Sequence, residues 1–113
     1  MDLVSVQSKI KANQYLSETV VQLEKDFLMI GVNFDIQKPV TDYKALFTFT
    51  NNLVNSLNNQ DPKRILNLLY RIDLSEEMVQ KQMQETSLSF SEMLSELIVK
   101  RELYKVVLRK KDS

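Results

Sequence analysis

With no histidine and no cysteine among its 113 residues, the chain leaves most side-chain chemistry to its carboxylates. A thiolate nucleophile, a Cys-ligated metal, an imidazole base and a disulfide are all excluded within it. Six of the fifteen acids stand in close pairs, Glu24 with Asp26, Glu76 with Glu77, and Glu92 with Glu96. Glu92 and Glu96 stand four apart, the spacing that puts two carboxylates on one helix face. Di-metal sites of helical bundles complete that spacing with Glu-x-x-His, which this chain cannot supply. A single glycine also rules out a Gly-rich phosphate loop. Ser87, Ser89 and Ser91 have no base near them in sequence and read as small packing or surface residues rather than nucleophiles. Met78, Met83 and Met93 at helical spacing read as core filling before they read as an adaptable binding surface. The expectation is a protein that is not an enzyme and carries no cofactor or metal.

Charge offers a second kind of site. The chain is neutral overall, but residues 1–60 carry −1, 61–99 carry −3 and 100–113 carry +4. Lys105, Arg109, Lys110 and Lys111, with Tyr104 interleaved, could lie against phosphates, which makes a nucleic-acid-associated accessory protein the second reading. A helix C-terminus favours basic residues in any case, through its dipole. The neutral total argues against a surface given over wholly to nucleic acid or to an anionic membrane.

The elements that position these residues read as helices throughout. Apolar residues make up 43% and charged residues 27%, an ordinary globular balance, and the length suits one domain over 1–113. No apolar run approaches a bilayer span, and the amino terminus shows no basic-then-apolar leader, so the expectation is a cytoplasmic protein without a membrane partner. A first long helix is expected from about Val6, capped by Ser5 or Ser8, with Val6, Asn13, Leu16, Val20, Leu23 and Phe27 on one face. It stops at Gly31, the only glycine. An extended connector follows, with Phe34 and Ile36 tucked onto the bundle. Thr41 or Asp42 caps a second helix through about Asn58. Leu46 to Thr50 alternates like a strand, but the helical period runs on to Leu57 and no second strand exists to pair with it. Asp61-Pro62 opens a third helix to about Ile72, apolar around most of its circumference and so expected to be the most buried.

The last helix is expected to be one rod from Ser75 to Lys110, roughly 50 Å long at 1.5 Å per residue. Asp73 or Ser75 caps it, and Asp73 with Glu76 offers a capping box. Val79, Met83, Phe90, Met93, Leu94, Leu97, Tyr104 and Leu108 form its main apolar stripe. Arg101 lies within that stripe and must find a carboxylate, with Asp26, Asp73 or Glu102 of another subunit as candidates, or reach past its neighbours with its head in water. Leu88, Val99, Leu103, Val106 and Val107 point away from the stripe and form a second apolar face.

A second face must be covered, either by the rest of the chain or by another subunit. The resulting expectation is an all-α, four-helix bundle-like domain with long first and last helices and two shorter middle ones. Its expected function is a small protein–protein interaction or assembly module, a homodimer or a partner of another helical protein. Leu88, Val99, Leu103, Val106 and Val107 form the expected interface, and Arg101 is a buried or partner-contacting charge.

Overall fold

A computed structural model describes residues 13–37 and 39–111, with the backbone alone at 111. Among the described residues there are five helices and no strand: α1 (Leu16–Met29), α2 (Tyr43–Gln60), α3 (Pro62–Arg71), α4 (Glu76–Glu85) and α5 (Phe90–Lys111). The all-α class expected from the sequence is therefore correct, and the count of four helices is not. The expected start of the first helix, with Ser5, Val6, Ser8 and Ile10, lies outside the described residues.

The fifth helix arises because the expected rod is broken. Thr86 is extended, with φ −109° and ψ 152°, and its Oγ1 accepts a hydrogen bond from the Leu88 N–H at 3.1 Å. Ser89 then caps α5. The Glu92 N–H donates to Ser89 Oγ at 3.3 Å, while Glu92 Oε1 accepts from the Ser89 N–H at 3.3 Å and from its hydroxyl at 2.8 Å. This is a reciprocal capping box, Ser-x-x-Glu. A rod of roughly 50 Å would also not fit a molecule whose extents are 34 × 30 × 26 Å.

Other boundaries follow the local chemistry. Asp42 Oδ1 accepts from the Ala45 N–H at 2.8 Å and starts α2; Ser75 Oγ accepts from the Met78 N–H at 3.1 Å and starts α4. Pro62 takes the first position of α3, but the Asp61 side chain does not cap it. It pairs instead with Arg64 at 2.9 Å. Gly31 ends α1 with φ 81°, and the Val32 N–H reaches back to the Phe27 carbonyl at 2.9 Å. Asp73 ends α3 in the same way, with φ 62° and the Leu74 N–H on the Leu69 carbonyl at 2.9 Å. Its capping box with Glu76 does not form, because Asp73 terminates one helix and Ser75 begins the next. Leu46 to Thr50 is helical, and the Thr50 hydroxyl bonds back to the Leu46 carbonyl at 2.8 Å. Phe34 is buried, its ring 5.1 Å from Phe27 and 4.9 Å from Phe49.

The most enclosed helix is α5 rather than the third, which the sequence marks as the most buried. In its first half Met93, Leu94, Leu97, Ile98, Val99 and Glu102 are all buried, directions that together take in most of the helix circumference. α2, α1 and α4 all pack on it. α3, by contrast, exposes Leu66 and Tyr70 and buries Ile65, Leu68 and Leu69 along one face only.

Two substitutions separate these contributions in urea unfolding. Ser89→Ala, which removes the capping box, should lower stability by about 1 kcal/mol. Leu94→Ala, in the enclosed half of α5, should lower it by about 2–5 kcal/mol through the cavity it leaves. Equal effects at the two positions would contradict the central place given to α5.

Candidate functional site

Two regions could carry function: a buried acid cluster between α1, α3 and α5, and the outer surface of the carboxy-terminal half of α5. The first was not foreseen. Asp26 of α1 and Glu102 of α5 are 2% and 0% exposed, and their carboxyls stand close enough to share a hydrogen bond when one of them carries a proton. Asp26 also accepts from Arg71 Nε at 2.8 Å and from Gln22 Nε2 at 2.9 Å. Lys105 Nζ lies 3.9 Å from Asp26 Oδ2 and 3.7 Å from Glu102 Oε1.

Neither Glu102 oxygen receives a hydrogen bond from a donor group, so as an anion this side chain would be orphaned in the core. As a neutral acid its hydroxyl donates to Asp26, and the difficulty disappears. Burial, and then the Asp26 charge beside it, push the Glu102 carboxyl up to about 9. For Asp26, burial raises its proton affinity, but the bonds from Glu102, Gln22 and Arg71 and the charge of Lys105 outweigh it and hold Asp26 below its ordinary range. The pair thus holds one proton and one negative charge, the latter balanced by Arg71 and Lys105. The shallow surface depression between Asp42 and Asn52 on α2 is lined by none of these groups. Among the described residues no three acids gather as metal ligands. The cluster is built as a structural lock between helices.

The expected interface residues lie elsewhere than the sequence suggested. Val99, Leu103 and Val106 are 2%, 6% and 1% exposed within the single chain. Leu103 and Val107 pack with Tyr15 and Tyr43, which precede α1 and open α2, and Val107 is half-buried. The second apolar face is real, and the chain itself covers it. Leu88 is exposed, but it sits in the α4–α5 link, away from the other four.

The main stripe of α5 is exposed at both ends, at Phe90 and at Tyr104 with Leu108. Met93, Leu94 and Leu97 are buried, whereas Tyr104 and Leu108 are 52% and 43% exposed. Arg101 marks the change. It donates from Nε to the Ile72 carbonyl at 2.8 Å, approaches Asp73 at 3.9 Å and stacks 5.6 Å above the Tyr104 ring. The α3–α4 turn is thereby fixed at the level of Arg101. From there α4 runs back along α5 to the 86–89 link, and its ten residues reach about 15 Å, enough to flank only the stretch from Phe90 to Arg101. Beyond Arg101 no helix among the described residues is shown lying on the stripe.

The basic end is largely engaged inside the molecule. Lys105 faces the acid cluster, Arg109 Nη2 donates to Gln22 Oε1 at 2.8 Å, and Lys110 lies 3.9 Å from Glu18. The Lys111 side chain lies outside the described residues.

The acid cluster has a pH signature. Unfolded, Glu102 loses its proton near 4.5, and folded near about 9. Across that window the native state holds a proton that the unfolded chain has released, so the Glu102 contribution falls as pH rises. Asp26 acts with the opposite sign: its contribution is present above 3.8 and is lost as pH falls through its lower folded value. Glu102→Gln, whose amide can donate to Asp26 at any pH, should flatten the decline in urea midpoint between pH 5 and 9. The slope it removes is at most about 1.4 kcal/mol per pH unit. A variant slope equal to wild type would show that Glu102 carries no proton in the folded chain. Compared with known protein families, curated proteins and solved structures, the chain matches none.

Proposed function

We propose that this chain is a non-enzymatic, cytoplasmic assembly module that self-associates through the carboxy-terminal half of α5. The observation that carries this reading is the passage of one apolar stripe from buried, at Met93, Leu94 and Leu97, to open, at Tyr104 and Leu108, on the central helix of the fold. Scattered apolar residues are normal on a protein surface. These two are one turn apart, continue a core stripe and lie beyond the reach of the helix that flanks its first half. A second copy is the proposed occupant because an isologous contact would let the Tyr104 and Leu108 of each copy bury one another.

A phosphate-binding end has less support. Lys105, Arg109 and Lys110 each have an intramolecular partner, and counterion release by the free chain would require them to give those partners up.

Light scattering at increasing concentration tests the reading. The wild type should move from 13.2 kDa toward twice that mass by a few hundred micromolar. Leu108→Glu, at a position outside the core, should weaken association at least tenfold and leave the circular dichroism spectrum unchanged. A single-chain mass at every concentration would end the proposal.

A further inference from the structure

We infer that the acid cluster is a two-state clasp in which Lys105 takes over from the shared proton. While Glu102 is neutral, its hydroxyl ties α5 to Asp26 of α1; once Glu102 ionises, the Lys105 ammonium closes on both carboxylates and keeps the helices joined. A distance supplies the first observation. Lys105 Nζ stands 3.9 Å from Asp26 Oδ2 and 3.7 Å from Glu102 Oε1, about 1 Å too far for a charge-assisted hydrogen bond. It is placed between the two acids and bonded to neither. Its side chain is 26% exposed, so the charged end keeps contact with water and has room to shift without disturbing the core.

The second observation is the balance of charge. Asp26 already has its cation, Arg71 of α3, at 2.8 Å, and a neutral donor in Gln22 of α1, whose own carbonyl accepts from Arg109 of α5. Among the described residues α2 and α4 bring no charged group to the pair. With one proton on the two acids, a single anion therefore faces both Arg71 and Lys105, and Lys105 is the charge in excess. Ionisation of Glu102 supplies the missing counterpart one turn away on the same helix, on oxygens that no donor occupies. Two carboxylates then meet two cations, and the buried site stays neutral. The bond lost with the Glu102 hydroxyl is replaced by bonds from Lys105 to the same two residues, so α1 and α5 keep their register in both states.

Infrared absorption of the carboxyl groups and circular dichroism, followed together against pH, test the clasp. At pH 7 the wild type should show the band of a protonated carboxyl, assigned by its loss in Glu102→Gln. That band should disappear as pH rises through about 9, with the helical spectrum intact. Lys105→Met keeps the apolar stem and removes the charge. It should bind the Glu102 proton at least tenfold more tightly, so that the band persists at least one pH unit higher or until the helices unfold, and Lys105→Arg should return the midpoint to near the wild-type value. A Lys105 that only packs would leave the midpoint where it is. The clasp is overturned by a Lys105→Met midpoint equal to wild type, by unfolding of the wild type before its carboxyl ionises, or by absence of the band at pH 7.

Discussion

The fold is organised by the need to enclose one helix. Through its first three turns α5 is apolar in most directions, and no single neighbour can cover it. Each fully buried Leu or Ile contributes about 1.5–3 kcal/mol, so Met93, Leu94, Leu97, Ile98 and Val99 together outweigh any preference of the chain to continue as a longer rod. Breaking the helix at 86–89 forgoes a few backbone hydrogen bonds, and the Ser89–Glu92 box restores about 1 kcal/mol of that. In return α4 folds back as a third wall beside α1 and α2. The break at Thr86 is thus a consequence of how much of α5 must be hidden.

The acid cluster follows from the same enclosure. A charged Glu102 at the centre of the molecule would be costly, and a proton held against Asp26 removes that cost. What the cluster adds is register. Asp26 meets groups from α1, α3 and α5 at once, through Gln22, Arg71, Lys105 and Glu102. A slip of α1 by one turn along α5 would leave Asp26 buried without Arg71 and Glu102 without its acceptor. Apolar packing alone tolerates such slips far better than a buried carboxylate does. The Arg101 bond to the Ile72 carbonyl acts similarly on the α3–α4 turn.

Much of this was readable before any coordinates. The all-helical class, the Asp42 cap, the end at Gly31 and the buried Phe34 all come from local chemistry and hold in the structure. The rod misled because a 3.6-residue period cannot distinguish one long helix from two helices folded back on each other with their apolar sides matched. The signal that decides it, Ser89-x-x-Glu92, stood in the sequence between Thr86 and Met93 but was outweighed by the periodicity. The second apolar face was also a true signal, and the sequence left open whether chain or subunit covered it. Tyr15 and Tyr43 cover Leu103 from distant points in the chain, as Asp26 meets Glu102, and no local pattern encodes such pairings. The third helix looked enclosed because its apolar residues are many, yet Leu66 and Tyr70 face outward.

The distribution of side chains on the second half of α5 shows why its open strip is unlike ordinary surface. Where α5 faces α1, each position carries the group its neighbour requires: Lys105 toward Asp26, Arg109 toward Gln22, Lys110 toward Glu18. Where α4 has ended and no helix of the described chain lies alongside, the residues are Tyr104 and Leu108 instead of the lysines and glutamates that suit a solvated helix face. A third side, at Leu103 and Val106, is apolar and covered by the chain itself, so the open apolar positions in this half are Tyr104 and Leu108. This opening on the most enclosed helix of the molecule is the feature on which the proposed self-association rests, and Arg101, stacked on Tyr104 and tied to the α3–α4 turn, fixes its upper edge.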